Sequence, residues 1–211
     1  MRHKSVLNQQ AIKLPQPKYD GKTSVEKALL ERRSVRGYND EPLTLAEVSQ
    51  LLWAAQGITD SARSFRTSPS AGALYPLELY IVAGNVTDLS RGVYKYKPHG
   101  RELIEVMEGD RRADLCNVVV RQSLVKDAAA VIVFTAVYQR TTVKYGERGT
   151  RYAHMEVGCA AQNVYLQAIS LELGTVFIGA FDDDKTKKVL NMPEEEQPLG
   201  MMPVGRKQNS Q

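Results

Sequence analysis

The chain has 211 residues, of which 43% are hydrophobic and 25% charged, so it is long enough to bury a core as one domain or a closely fused pair. Its 28 basic and 24 acidic residues are intermixed and leave a net charge of +4, which slightly favours small anionic ligands and gives no reason to expect a nucleic-acid partner. The longest apolar stretch, residues 128–137, is far too short to cross a bilayer, and the N-terminal residues lack the apolar core of a signal peptide. We therefore expect a cytoplasmic protein with no membrane contact.

The cysteines and histidines form no recognisable disulfide or metal pattern. Cys116 and Cys159 stand in unrelated contexts, which fits a reducing compartment. The three histidines are far apart, and none has the spacing of a metal-ligand pair. The sequence therefore predicts no metal site.

The first half of the chain is predicted to be an arm followed by helices and strands. Residues 1–22 contain two prolines and little periodicity, so we expect an extended arm that could lie on a second subunit. Capping-box spacings at residues 23–26 and 44–47 predict two helices, the second ending at Gly57. The other predicted elements of this half are strands at 77–83, 92–97 and 102–107 and a short helix capped by Asp110.

Two apolar segments dominate the second half. Residues 129–137 are rich in β-branched side chains and predict a central buried strand. Residues 150–173 predict a long helix that is apolar nearly all round and is therefore buried in a core or a subunit interface. Residues 139–149, between them, are predicted to form a charged loop. The remaining predicted elements are strands at 175–181 and 199–204 and a helix at 182–190.

These elements mix helices and strands without strict alternation, which favours an α+β fold with layered helices and sheet. We expect one domain over residues 23–207 and a short tail at 208–211. No GxGxxG motif opens a helix after a strand, and no Walker A motif is present, so the usual dinucleotide and P-loop fingerprints are missing.

An arginine-rich motif closes the first predicted helix. Arg32-Arg33-Ser34-Val35-Arg36 places three guanidinium groups and a hydroxyl within five residues. A guanidinium presents a planar fork of donors that suits a phosphate or carboxylate, and Ser34 adds a neutral donor. Such a cluster at a helix end can bind a phosphate monoester. The alternative, for an isolated motif of this kind, is a solvated basic surface.

Three separated motifs occur together in one order, and they give the chain a family resemblance. They are Arg32–Arg36, then Pro69-Ser70-Ala71-Gly72 leading into Tyr75-Pro76-Leu77-Glu78, and then Glu156–Asn163 followed by Ile178-Gly179 and Pro203-Val204-Gly205-Arg206. In this order and spacing, over about residues 23–207, the chain resembles the nitroreductase-like flavoprotein family. The segment Ser-Ala-Gly-Ala-Leu-Tyr-Pro-Leu-Glu is similar to the sequence found in the SagB-type azoline-dehydrogenase branch of this family.

The resemblance implies an α+β fold of three layers, with a mixed central sheet flanked by helices and a long buried central helix. It also implies a homodimer that binds FMN at the subunit interface. The chemistry implied is a ping-pong reaction, in which NAD(P)H reduces FMN and the flavin then reduces a second, small-molecule substrate.

The resemblance also assigns residues to the flavin. The phosphate and ribityl chain would be held by Arg32, Arg33, Ser34 and Arg36, with Gly205 and Arg206 at the end of the last strand completing the clamp. The ring would be covered, from the other subunit, by the small residues Pro69, Ser70, Ala71 and Gly72. The Ile178-Gly179 segment would place a backbone amide opposite flavin N5, where a donor stabilises charge as hydride arrives or leaves.

The charged loop carries a candidate catalytic pair, Lys144 and Tyr145. The azoline-dehydrogenase branch has a Lys-Tyr pair at a similar place, where it acts on the substrate proton. A lysine desolvated near a flavin could serve as a base with tyrosine as its partner. The alternative is a solvated loop.

Other polar residues near these motifs have structural interpretations. Gln122 could reach the flavin, although a helix-terminal glutamine is more often solvated. Glu156 is predicted to form a buried ion pair, and Cys159 is predicted to be an inert core thiol. Gln162 and Asn163 are expected to be structural hydrogen-bonding residues.

Three functions therefore stay open. The first is an FMN-dependent NAD(P)H oxidoreductase acting on a nitroaromatic, a quinone or a similar acceptor. The second is an azoline dehydrogenase that oxidises thiazoline or oxazoline rings in a modified peptide. The third is a flavin-binding protein without turnover.

Overall fold

The computed structural model describes residues 11–120 and 123–208. Within them the strands are β1 (Ile12–Lys13), β2 (Leu43–Thr44), β3 (Ile58–Asp60), β4 (Phe65–Arg66), β5 (Leu77–Ala83), β6 (Val86–Thr87), β7 (Gly92–Lys97), β8 (Glu102–Glu108), β9 (Ala130–Ala136), β10 (Leu173–Thr175) and β11 (Gln197–Arg206). The helices are α1 (Val25–Glu31), α2 (Leu45–Gln56), α3 (Arg112–Cys116), α4 (Leu124–Asp127), α5 (Gln139–Tyr145), α6 (Arg148–Ser170) and α7 (Asp183–Val189). No helix in the described residues is long and apolar enough to span a membrane.

A seven-stranded sheet forms the centre of the molecule, with the strand order β1-β8-β7-β5-β9-β11-β10. The segment predicted as the central strand is β9, and every one of its residues is buried, which confirms that prediction. The sheet is not mixed in strand direction: each pair of neighbouring strands in it is antiparallel. A turn at residues 98–101 joins β7 to β8 in an antiparallel hairpin.

Helices cover both faces of this sheet, so the three-layer α+β architecture is confirmed. Because side chains alternate along a strand, Leu79 and Ile81 of β5 face one core while Tyr80 and Val82 face the other. The first core contains buried residues of α2 and α6. The second contains buried residues of α3 and α4 and packs against α7.

Local sequence signals explain most helix boundaries. Thr44 and Glu47 form the predicted capping box at the start of α2, and Gly57 caps its end. In α1 the N-cap is Ser24, whose hydroxyl accepts from Lys27 N, one residue later than the predicted box. The prediction of a charged loop at 139–149 is wrong, because this segment forms α5 and the start of α6. Only Thr141 of α5 is buried, so the sequence of this helix has no apolar stripe from which a helix could be predicted.

The long helix α6 is less buried than its composition predicted. It runs from Arg148 to Ser170, and one face stays open in the subunit: Met155 is 59% exposed and Cys159 is also exposed. The prediction that Cys159 is a core thiol is therefore wrong.

The described part of the N-terminal arm lies on its own subunit. Ile12 pairs with Leu103 at the edge of the sheet, and Leu14 is buried. The side chain of Gln50 in α2 accepts from Lys18 N at 2.8 Å and donates to Lys18 O at 2.9 Å. Over residues 11–18 this corrects the expectation of an arm placed on another subunit.

Candidate functional site

The arginine-rich motif lies at the end of α1, beside Tyr165 of α6. Arg32 caps α1, and its guanidinium carbon lies 5.3 Å from the centre of the Tyr165 ring. Ser34 Oγ lies 3.4 Å from the Tyr165 hydroxyl. Arg33 donates to the carbonyls of Leu30 and Arg32, at 2.9 and 2.8 Å, so one of its nitrogens is already occupied. Arg36 is exposed and has no ion pair among the described residues.

Tyr165 also contacts the segment that contains Gly179. The backbone amide of Phe177 donates to the Tyr165 hydroxyl at 2.7 Å. Ile178 is 2% exposed, and its N–H and C=O bond to Met201 of β11 at 2.8 and 3.0 Å. Gly179 is exposed, and its amide has no hydrogen-bond partner among the described residues. Ile178 thus anchors the segment, while Gly179 presents a free donor.

The arginine-rich motif and the residues that follow it are hydrogen-bonded to β10 and to the end of β11. Val35 N donates to Thr175 O at 2.9 Å, and Asn39 N donates to Arg206 O at 3.1 Å. Atoms of Tyr38 lie 3.0 to 3.1 Å from the place where a Cβ on Gly205 would stand, so any larger residue there would crowd the Tyr38 side chain. Burial raises the pKa of Tyr38, and its hydroxyl bonds to backbone carbonyls, so it acts as a structural clamp.

Arg206 and Lys207, adjacent at the end of β11, have different environments. The Arg206 guanidinium binds both oxygens of Glu47, at 2.7 and 3.0 Å, so it is committed to the start of α2. Lys207 is exposed and has no ion pair among the described residues, and its Cγ lies 3.2 Å from the Cβ position of Gly174. Sequence reasoning missed Lys207. The alternation of side chains along a strand, which separates neighbours onto opposite faces, was the available signal.

The small-residue loop is held by a buried carboxylate. Glu156 of α6 is 6% exposed and accepts from Ala71 N at 2.9 Å. Burial raises the pKa of Glu156, and hydrogen bonds from Ala71 and Ser70 only partly oppose this effect. No cation lies within 4 Å of it among the described residues, so the predicted buried ion pair is wrong. Asn163 donates to Ser68 Oγ at 3.0 Å, in the structural role expected for it.

Gly72 brings this loop against the candidate catalytic pair. Its φ is +61°, a conformation that side-chain-bearing residues rarely adopt. A Cβ at this position would lie 2.7 Å from the Tyr145 hydroxyl and 2.9 Å from Lys144 Nζ. Lys144 is exposed in the subunit and Tyr145 is half-buried. Two sets of predicted site residues, in the loop and in α5, therefore meet within one subunit, with Pro69 exposed beside them.

The two halves of the predicted site lie on different sides of α6. Glu156, which holds the small-residue loop, and Tyr165, which contacts Ser34 and Phe177, are nine residues apart. At 100° and 1.5 Å per residue, they point in roughly opposite directions and are separated by about 14 Å along the helix. Within one subunit, the loop and the arginine-rich motif are therefore anchored to opposite faces of α6.

A cavity of about 580 Å³ opens beside Gly179. Its walls include Phe177 and, at its polar end, Tyr138 and His154, whose hydroxyl and Nε2 are 2.7 Å apart. Burial, with a smaller contribution from Asp183, raises the pKa of Tyr138. Sequence reasoning missed this pair, since neither residue belongs to a motif. Gln122 lies outside the described residues.

Comparisons with known proteins identify the family of this chain. The model of the nitroreductase family matches residues 29–206. The nitroreductase-like protein MJ1384 of Methanocaldococcus jannaschii is 48% identical over 87% of this chain and 91% of its own length. A crystal structure of a nitroreductase-like protein of Anabaena variabilis superposes with a TM-score of 0.78 at 35% identity, covering 87% of this chain and 38% of that one.

A more distant relative is the microcin B17-processing protein McbC of Escherichia coli. It is 27% identical over 72% of this chain, and the chain spans 58% of its length. The family match covers both halves of the candidate site, from the end of α1 to the end of β11. The chain belongs to the nitroreductase family.

Proposed function

We propose that the protein is an FMN-dependent oxidoreductase that transfers hydride from NAD(P)H to a small acceptor in a ping-pong reaction. One observation carries this proposal. The cations of Arg32, Arg36 and Lys207 have no acidic partner among the described residues, and Tyr165 joins Arg32 and Ser34 to the segment that presents the free amide of Gly179. Uncommitted cations suit a phosphate, and a free backbone amide suits a position where charge develops.

The chain's residues fit FMN in the following roles. Arg32, Ser34, Arg36 and Lys207 bind the phosphate, with Arg33 shaping the helix end. The Gly179 amide donates to the reactive edge of the ring, and glycine has no Cβ that could block this approach. Among the described residues, only the Phe177 ring lies within 4 Å of the position that a Cβ would take, at 3.8 Å. Arg206 positions β11 by binding Glu47. The bound flavin supplies the hydride chemistry, and the protein supplies its orientation and electrostatics.

A homodimer would complete the site. The small-residue loop and the Lys144–Tyr145 pair face away from the arginine-rich motif across α6, so a second copy would contribute them to the first copy's flavin. Large apolar side chains stay exposed on α1 and α6 of the isolated subunit, where an interface would bury them. They are Val25 (63%), Leu29 (53%), Leu30 (73%) and Met155 (59%).

The cavity beside Gly179 suits the small acceptor. Phe177, Phe181 and Leu199 give it apolar walls, and the Tyr138–His154 pair gives it hydrogen-bonding groups at one end. A flat nitroaromatic or quinone matches this combination of an apolar body and a polar tip.

Azoline dehydrogenation is the second candidate, and one observation favours it. Lys144 Nζ and the Tyr145 hydroxyl meet at the Gly72 loop, as a proton-transferring pair over a covered ring would require. The similarity to McbC points the same way. Lys144→Met and Tyr145→Phe should then abolish oxidation of a thiazoline-containing peptide while leaving quinone reduction nearly unchanged. Equal loss of both activities, or of neither, would remove this candidate.

The test of the phosphate site compares FMN with riboflavin, which lacks the phosphate. Charge-assisted hydrogen bonds contribute roughly 1.5–3 kcal/mol each, so FMN should bind at least about tenfold more tightly. Arg36→Ala should reduce the difference in affinity between FMN and riboflavin. Arg63→Ala, at an exposed arginine paired with Asp60, should leave this difference unchanged. Equal binding of riboflavin and FMN would contradict the proposal. Tight FMN binding without oxidation of NADH or NADPH would indicate instead that the protein binds flavin without turnover.

A further inference from the structure

Four charged side chains of alternating sign connect the start of β11 to α5. We call Glu196, Lys95, Glu78 and Arg140 the charge chain. The Lys95 ammonium pairs with Glu196 and lies 3.3 Å from Glu78 Oε2. Arg140 Nη2 lies 2.5 Å from Glu78 Oε1. The two positive and two negative charges of the charge chain cancel. Lys95 lies on β7 and Glu78 on the neighbouring strand β5, so the charge chain runs across the sheet.

The inner end of the charge chain is fixed in the protein interior. Glu196 is 2% exposed and accepts hydrogen bonds from the hydroxyls of Tyr80 and Thr135, both at 2.9 Å. The side chains of Lys95 and Glu78 are 16% and 13% exposed. Burial raises the pKa of Glu78, but Lys95 and Arg140 outweigh it, so that the pKa lies below its ordinary value. Glu78 is therefore a charged, immobile acceptor at neutral pH.

The outer end ties two segments of the candidate site together. Arg140 Nη1 donates to Tyr75 O at 3.0 Å, and Tyr75 follows the small-residue loop by three residues. The other terminal nitrogen, Nη2, donates to Glu78. Arg140 also precedes Lys144 by one turn of α5, so both lie on the same face of that helix. The Arg140 guanidinium thus links α5 to the residues that follow the small-residue loop, and these are the two segments that meet at Gly72.

We propose that Glu78 and Arg140 are positioning residues that hold Lys144 and Tyr145 against the Gly72 loop. This inference rests on the proposed function in one respect, the assumption that the Lys144–Tyr145 pair reaches the substrate. The geometry distinguishes it from ordinary ion pairing. The pairs Arg63–Asp60 and Arg111–Asp114 lie within one turn, whereas Arg140 and Glu78 join segments 62 residues apart.

Hydrogen exchange of the flavin-free protein tests the proposal without relying on activity. In Arg140→Met and Glu78→Gln, the peptides covering residues 69–76 and 139–146 should exchange at least several-fold faster than in the wild type. Asp110→Asn is the matched control, because it breaks an arginine–carboxylate pair with Arg112 elsewhere in the fold. It should leave both peptides unchanged. Arg140→Lys should not rescue them, since an ammonium cannot replace the fork that reaches Glu78 and Tyr75 O together.

A spectroscopic readout separates positioning from general stabilisation. The ¹³Cζ resonance of Tyr145, assigned by its loss in Tyr145→Phe, should move in Arg140→Met while that of the exposed Tyr19 stays in place. Unchanged exchange in both peptides and an unmoved Tyr145 resonance, in a variant with wild-type circular dichroism, would overturn the proposal. If Glu78→Gln does not fold, the two Arg140 variants, at a side chain 39% exposed, carry the test. Because neither measurement needs flavin, failure here is distinct from failure of the proposed function.

Discussion

The hydroxyl oxygen of Tyr165 accepts a hydrogen bond from the backbone amide of Phe177 at 2.7 Å. The same oxygen lies 3.4 Å from Ser34 Oγ, and the Arg32 guanidinium lies over the Tyr165 ring. One side chain of α6 therefore joins the arginine-rich motif to the segment that presents Gly179. In the proposed function, Tyr165 sets the spacing between the phosphate end and the ring end of the flavin site.

Tyr165→Phe should weaken FMN binding without unfolding the protein. The change leaves Phe177 N–H without its acceptor, and a neutral hydrogen bond contributes about 0.5–1.5 kcal/mol. We expect a rise of roughly 2- to 12-fold in the FMN dissociation constant, measured by quenching of flavin fluorescence. Tyr19→Phe, at a tyrosine that is 74% exposed, is the control. The same FMN affinity in both variants would show that Tyr165 does not organise the site.

Lys207→Ala and Arg206→Ala should differ in which property they change. Lys207 offers an exposed ammonium with no acidic partner among the described residues, so its loss should weaken FMN binding by at least about tenfold. Arg206 holds Glu47, and both side chains are largely shielded, so its loss should lower the free energy of unfolding by about 1–3 kcal/mol. FMN titration and urea denaturation measure the two effects. The opposite pattern would assign the phosphate to Arg206.

Gly72→Ala should impair turnover more than its backbone strain explains. A left-handed conformation costs a non-glycine residue about 1–2 kcal/mol, and the added methyl group would also displace Tyr145 and Lys144. Gly109→Ala is the control, because its φ is +87° and nothing lies within 4 Å of the added Cβ. Urea denaturation should show similar losses of stability in both variants. Only Gly72→Ala should lower the oxidation of a thiazoline-containing peptide, the activity that depends on Lys144 and Tyr145, by roughly 10- to 100-fold; equal rates of this oxidation in the two variants would contradict the contact's role.

Glu156→Gln should stabilise the protein in a pH-dependent way. Because burial raises the pKa of Glu156 above its ordinary value of 4.5, the folded state keeps this proton to a higher pH than the unfolded chain does. The stability that this proton provides is complete below pH 4.5 and is lost as pH rises through the folded pKa. The gain in Tm for Glu156→Gln should therefore be larger at about pH 8 than at pH 4.5, where it should nearly vanish. Glu194→Gln, at an exposed glutamate, should show no such trend.

Sequence signals predicted the parts of the fold that depend on local chemistry. The Thr44–Glu47 capping box and the β-branched run of β9 each appear where local rules place them. The direction of the strands is set by long-range connections, which local patterns do not encode, and the sheet proved antiparallel. Helix α5 was missed because it is amphipathic only weakly and buries a single residue, Thr141.

The candidate site was predictable in its motifs and not in their connections. The arginine-rich motif could be identified from its residue types, and the small-residue loop and Ile178-Gly179 from the family resemblance. Tyr165 could not, because its importance comes from contacts between segments more than 100 residues apart in sequence, such as that with Ser34. Glu156 was assigned an ion pair, but the structure satisfies it with backbone and hydroxyl donors instead.

In the proposed function, this chain binds FMN and passes electrons through it. The visible absorption spectrum of the FMN-reconstituted protein, recorded during anaerobic addition of NADH or NADPH and then of menadione, tests this function. We expect the absorption of oxidised flavin to bleach with one or both donors and to return when the quinone is added. A protein that does not retain FMN, or a bound flavin whose spectrum neither donor changes, would contradict it.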